Sequence, residues 1–161
     1  MKLYHGSDII VSCPDIHKGK PYKDFGQGFY LSDNFEQALD MGKRVASRID
    51  ENGVPVVSTY EFDESFLKNG FLQVKMFDSY SEEWAEFVLR NRNRNIPQPI
   101  HNYDIVYGPI ADDSVVRQMR RFELGDISME ELMRELKYPM GITFQYFFGS
   151  ERALQKLTFL C

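Results

Sequence analysis

The sequence predicts an α+β fold, and three observations lead there. Strand-like runs such as Val56–Phe62 and Ile142–Phe148, rich in β-branched and aromatic residues, sit among stretches whose apolar residues recur at helical spacing. No βαβ regularity, repeat or linker orders them, which argues against a doubly wound sheet. The 161 residues are 43% apolar and include 13 Phe and 9 Tyr, enough for one domain with an aromatic-rich core.

Lys2–Ser7 opens the chain as a strand. Residues 8–21 hold Pro14, Gly19 and Pro21 among polar residues and read as a loop. Phe25, Phe29 and Leu31 belong to a second strand, entered through a bend at Gly26 and Gly28. Two glycines so close to aromatics mark either a β-bulge or a backbone that something must approach. A helix follows from Asp33 or Asn34, with Asp33 and Glu36 as its capping box. Phe35, Ala38, Leu39, Gly42, Val45, Ala46 and Ile49 recur on one face, and Asn52-Gly53 ends the run.

Val56–Phe62 is the third strand, and Phe71–Phe77 alternates with Leu72, Val74 and Met76 on one face. Ser79 and Glu82 cap a helix that carries Trp84, Phe87, Val88 and Leu89 inward. Its end, Arg90-Asn91-Arg92-Asn93-Arg94-Asn95, reads as a solvated helix terminus whose cations offset the dipole, rather than as a pyrophosphate clamp. Tyr103–Tyr107 is a strand closed by Gly108-Pro109. Asp112 or Asp113 caps a short helix through Arg121, and Ser128 with Glu131 caps another through Lys137. Ile142–Phe148 is again a strand, Ser150 starts a short helix, and Leu157–Leu160 closes the chain as a strand. The whole reads as one domain over residues 1–161, with a mainly helical insertion around residues 78–138.

The net charge of −5 argues against nonspecific binding to nucleic acid or an anionic membrane, since both require a positive field. Cys13 and Cys161 read as free thiols of a reducing compartment. Met1-Lys2-Leu3-Tyr4-His5 enters a strand directly, without a signal peptide or transmembrane run, so a cytoplasmic location is expected. His5, His17 and His101 show no metal-ligand spacing, and no metal is expected.

Tyr4-His5-Gly6-Ser7 and Asp24-Phe25-Gly26-Gln27-Gly28-Phe29-Tyr30-Leu31 carry a resemblance. With the C-terminal Gln145-Tyr146-Phe147-Phe148-Gly149-Ser150-Glu151-Arg152-Ala153-Leu154, they resemble a bacterial family of unknown function over nearly the whole chain. That family lies near the poly(ADP-ribose) polymerase and diphtheria-toxin branch of ADP-ribosyltransferases, which the chain resembles in three short blocks. The resemblance implies an ADP-ribosyltransferase-like fold of two packed, antiparallel-rich sheets with flanking helices. It also implies NAD as substrate, no metal, an unknown macromolecular acceptor, and a toxin or conflict role with a neutralising, antitoxin-like partner.

Carried over residue by residue, the resemblance gives His5 a bond to the adenosine ribose. Gly6 offers its backbone to the nicotinamide amide, and Tyr30 stacks on the ring, while Ser7, Gly28 and Phe29 line the NAD site. Gln145 falls where the polymerases carry the glutamate that grips the nicotinamide ribose. An amide can hydrogen-bond a hydroxyl but cannot take up its proton, so mono-transfer or NAD hydrolysis is expected rather than chain extension. Glu151 is the alternative carboxylate, although a helix start gives it a structural role as well. Ala38 and Met41 replace a serine that bonds the amide and a second stacking tyrosine. Taken singly, His5 reads as a hydrogen-bonded histidine at a strand end and Tyr30 as core. Two further readings stand beside catalysis: an NAD- or ADP-ribose-binding module without chemistry, and a protein-interaction domain with a relic pocket.

Overall fold

The structure is a computed structural model that describes residues 1–137 and 141–161. Among these residues, seven strands form two sheets. β1 (Lys2–Ser7), β3 (Val56–Phe62) and β7 (Leu157–Phe159) make an antiparallel sheet in the order β1-β3-β7. β2 (Phe29–Leu31), β6 (Phe144–Phe148), β5 (Ile105–Pro109) and β4 (Val74–Met76) make the second, in the order β2-β6-β5-β4. Only the β4–β5 pair is parallel among these. The helices are α1 (Phe35–Ile49), α2 (Glu82–Arg92), α3 (Asp113–Glu123), α4 (Met129–Leu136) and α5 (Glu151–Leu154). The α+β expectation therefore holds, with two mostly antiparallel sheets.

Alternation along β6 explains the layering. Tyr146 and Phe148 face a core shared with Leu3, Phe29, Tyr60 and Phe62 of the other strands, whereas Phe147 faces a second core built with α2, α3 and α4. The second sheet is thus covered on both faces, which is why Ile105 and Val106 are both fully buried as neighbours in β5. Trp84 anchors the helical layer: it is fully buried, and its indole N–H donates to the Pro109 carbonyl at 3.1 Å. Burying such a side chain stabilises the fold by about 1.5–3 kcal/mol, provided that its N–H finds a partner.

Several element boundaries differ from the sequence reading. Asn34, rather than Asp33, caps α1, its side chain accepting from the Gln37 N–H. Ser81, rather than Ser79, caps α2 by accepting from the Trp84 N–H. Asp112 caps α3, and the Ser128–Glu131 capping box of α4 is present in full. The buried stripe of α1 is Ala38, Gly42 and Ala46, while Phe35 and Ile49 are exposed. Those small residues let the helix backbone rest directly on β1. In β4, Met76 is exposed and Phe77 is buried, so the sequence alternation slips by one residue at the strand end. The segment from residue 78 includes β5, which pairs with both β4 and β6, so it supplies a central strand as well as helices. Its end at residue 138 lies outside the described residues. No helix among the described residues is long and apolar enough to cross a membrane.

Candidate functional site

The two sheets meet where β1 and β2 touch. Tyr4 and Ser32 exchange backbone hydrogen bonds of 2.8 and 2.9 Å, a single antiparallel bridge. Backbone groups of a strand alternate in direction, so Gly6, two residues on, aims its N–H and C=O at the same edge. No described backbone hydrogen bond outside the strand ladders reaches Gly6. Gly6 is buried, but its N–H and C=O have no described partner on that edge, a donor and acceptor pair that a carboxamide would match.

Beside it, His5 Nδ1 lies 2.8 Å from the Tyr30 carbonyl oxygen. A carbonyl only accepts, so Nδ1 carries the proton. Burial lowers the histidine pKa, more than the hydrogen bond to Tyr30 raises it, and the ring is held neutral. Nε2 is then an acceptor, which suits a ribose hydroxyl. Phe29 stacks against the imidazole with ring centroids 4.4 Å apart, and it is itself packed edge-on against Tyr60. Phe29 thus belongs to the core and supports His5 from behind, instead of lining an open surface. Ser7 donates to Asp8 at 3.1 Å. A Cβ on Gly28 would stand 2.4 Å from the Phe147 ring and 2.6 Å from the Phe148 carbonyl, so close strand packing requires this glycine.

Tyr30 points to the opposite face of β2. Its hydroxyl donates to the Gly26 carbonyl at 2.7 Å and accepts from the Phe25 N–H at 3.0 Å. Its ring packs edge-on against Phe147, with centroids 5.2 Å apart. Burial, and secondly the charge of Asp24, push its phenol pKa well up, so it is a neutral hydroxyl. The bend it clasps is held from the far side as well. His101 Nε2 donates to the Phe25 carbonyl at 2.7 Å, and its Nδ1 accepts from the Tyr103 N–H at 3.1 Å. Both ring nitrogens of His101 are committed to structure.

Gln145 shares the Tyr30 face. Tyr30 pairs with Phe147, and Gln145 lies two residues before Phe147 on the same side of β6. Its Nε2 donates to Asp24 Oδ2 at 3.2 Å. Asp24 also accepts from the Ala111 N–H at 3.0 Å and pairs with Arg92 at 3.1 Å. Arg92 is therefore tied into this face, which corrects its reading as part of a solvated helix end. Arg94 lies 5.0 Å from the centroid of the Tyr22 ring, and Arg90 is exposed.

Glu151 stands apart from this group. It is the first residue of α5, exposed, and its carboxylate meets Asp15 and His17, with one ligand atom from each within 4.8 Å of the others. Histidine spacing in the sequence could not reveal that cluster, which arises from tertiary proximity. Cys13 and Cys161 are both free and exposed. Two surface concavities of about 210 and 350 Å³ lie on the helical side, and neither is lined by His5, Tyr30 or Gln145. Sequence reasoning missed Asp24 and His101 as parts of the site. Asp24 stood inside the quoted motif, but nothing in the sequence shows that it meets Gln145.

Fold and clasp together define a two-sheet α+β domain whose sheets are joined at a histidine–tyrosine contact. The chain belongs to the family described as a protein of unknown function, DUF3990, whose model matches residues 1–159. No curated protein and no solved structure matches it.

Proposed function

We propose that this chain is a cytoplasmic NAD-consuming ADP-ribosyltransferase that transfers a single ADP-ribose unit to a macromolecular acceptor. The observation that carries the reading is the pairing of an unprotonated His5 Nε2 with the Gly6 backbone edge, which has no described partner, beside the Tyr4–Ser32 bridge between the sheets. A ribose hydroxyl fits the first, and the nicotinamide carboxamide, donor and acceptor together, fits the second. In the reaction the bond between ribose C1′ and the nicotinamide nitrogen breaks. Its electron pair goes to the pyridinium nitrogen, leaving neutral nicotinamide and an oxocarbenium-like sugar. An acceptor nucleophile or water then bonds C1′ and releases its proton to solvent. Gln145 offers an amide where a charged group would stabilise the sugar more strongly, so slow mono-transfer or hydrolysis fits better than chain extension.

Incubation with NAD labelled in its adenylate part, alone and in lysate, tests this. Release of nicotinamide with label on a protein supports transfer, and release with free ADP-ribose supports hydrolysis. Calorimetry that finds no NAD binding would sink the reading.

A second reading, an NAD- or ADP-ribose-binding module without chemistry, draws on one observation. Ala38 has no hydroxyl for the carboxamide, and Met41, at the second stacking position, is exposed. Such a module would bind NAD and leave it intact in the same incubation.

A further inference from the structure

We infer that Asp24 is a positioning residue of this site, fixing the Gln145 amide so that Oε1 is presented to a ribose hydroxyl. The inference rests on the ADP-ribosyltransferase reading above and names the group that compensates for the missing strand carboxylate.

Asp24 receives three N–H groups: Arg92 at 3.1 Å on Oδ1, and the Ala111 N–H at 3.0 Å and Gln145 Nε2 at 3.2 Å on Oδ2. Its side chain is 13% exposed. A carboxylate engaged in this way has only acceptor atoms to offer, so the amide edge that meets it must be the NH2. The rotamer of Gln145 is thereby settled by chemistry, and Oε1 is turned away from Asp24. Oε1 makes no hydrogen bond among the described residues, and it is not among the buried polar atoms that lack a partner, so solvent or ligand can reach it.

An oriented amide oxygen accepts a hydroxyl hydrogen bond as one oxygen of a carboxylate would. Asp24 adds negative charge one hydrogen bond behind it, and that charge polarises the amide toward the electron-poor sugar. Arg92 holds Asp24 from the α2 side, and the Ala111 N–H holds it from the loop after β5. Residues 24–26 also bind the Tyr30 hydroxyl through Phe25 and Gly26, so one short segment sets both groups of this face. The polymerases' strand glutamate is thus split here between two side chains, an amide on β6 and a carboxylate on the glycine bend.

The test is a double-mutant cycle on nicotinamide release by the full chain, with thermal melting to confirm folding. Asp24→Asn presents either edge to Gln145 and frees its amide, so kcat should fall on the order of 10²-fold while KM for NAD stays within about twofold. Gln145→Ala should lose as much, and adding Asp24→Asn to it should cost nothing further, because Asp24 acts through Gln145. Unchanged turnover in Asp24→Asn, or losses that multiply in the double variant, overturns the inference and leaves the transferase reading standing. A wild type that does not consume NAD overturns the transferase reading and the inference with it. Should Asp24→Asn fail to fold, Gln145→Glu decides. It sets a second carboxylate against Asp24, so turnover should fall, and a rise in nicotinamide release would overturn the inference.

Discussion

Gly6 lies directly beneath Ala38: a Cβ added at residue 6 would stand 1.7 Å from the Ala38 carbonyl oxygen. The obstacle is helix backbone, which cannot rotate aside. Gly6→Ala should therefore destabilise the domain by about 1–3 kcal/mol or more, as overpacked cores do. Urea unfolding should show a lower midpoint, and a midpoint equal to wild type would mean that α1 does not rest on β1 as described. One consequence concerns function. Lost NAD binding in this variant would report the displaced helix as much as any contact made by Gly6, so Gly6 is a poor probe of the site.

Tyr30 carries a similar warning. Tyr30→Phe removes the hydroxyl that satisfies the Phe25 N–H, and leaving such a group unpaired costs about 1–3 kcal/mol. Tyr30→Ala also deletes a ring packed on Phe147, so its cost should approach about 3–5 kcal/mol. Thermal denaturation should rank wild type above Tyr30→Phe above Tyr30→Ala. Equal melting temperatures for the first two would show that the clasp contributes nothing.

Much of this was legible in the sequence, and the misses share a physical cause. Val56–Phe62 was read with the bounds it has, and the Ser128–Glu131 capping box is formed, because strand composition and capping act over a few residues. The apolar face that periodicity gives α1 contains the buried Ala38-Gly42-Ala46 stripe, but it also takes in Phe35 and Ile49, which are exposed. What selected that stripe was close approach to β1, a property of two elements and not of one. Asp24, Arg92 and Gln145 are far apart in the chain, and their meeting is written in register and loop paths that no local pattern contains.

The acid response of the fold should have two separate limbs. Burial lowers the His101 pKa below its usual 6.5, more than its bond to Phe25 raises it, so the unfolded chain binds a proton more readily than the folded one. Stability from this group is fully present above about 6.5 and lost as pH falls through the lowered value; His5 acts in the same direction. Replacing the proton-binding ring by His101→Gln should flatten the pH dependence of unfolding in that range, leaving the part due to His5. An unchanged slope would place the titration elsewhere.

The second limb belongs to Asp104, which joins α5 to the start of β5. Burial opposes its ionisation, but hydrogen bonds from Arg152, Ser150 and the Gln73 N–H outweigh it and hold the carboxyl at about 2. A depressed acid stabilises the fold above its usual 3.8, and that stability is lost as pH falls through about 2. Asp104→Ala at neutral pH also removes the acceptor of Arg152, Ser150 and the Gln73 N–H, which belong to exposed or half-buried residues and can turn to water, so this part of the loss should stay near about 1 kcal/mol. Denaturant unfolding at pH 7 and at low pH should show the wild type and variant converging in acid. A constant difference between them would argue that packing, and not charge, explains the residue.

The basic run at the end of α2 should separate into unlike parts. Arg90 is exposed and Arg94 lies over Tyr22, whereas Arg92 alone of the three pairs with Asp24, at 3.1 Å. Its side chain is 36% exposed, so solvent screens the pair, and Arg92→Gln should cost less than about 1 kcal/mol of stability. Its effect should instead appear in nicotinamide release. Without the guanidinium, Asp24 keeps the Ala111 N–H but gains freedom about it, so kcat should fall, though less than in Asp24→Asn. Arg90→Gln should leave stability within about 0.5 kcal/mol and nicotinamide release unchanged, as for a surface substitution away from any special feature. The comparison is made at equal folded fraction and at two salt concentrations. Equal losses for Arg90→Gln and Arg92→Gln, both fading as salt rises, would mean that the run attracts the dinucleotide through a diffuse positive field. A loss confined to Arg92→Gln and little changed by salt would instead locate the effect in the contact with Asp24.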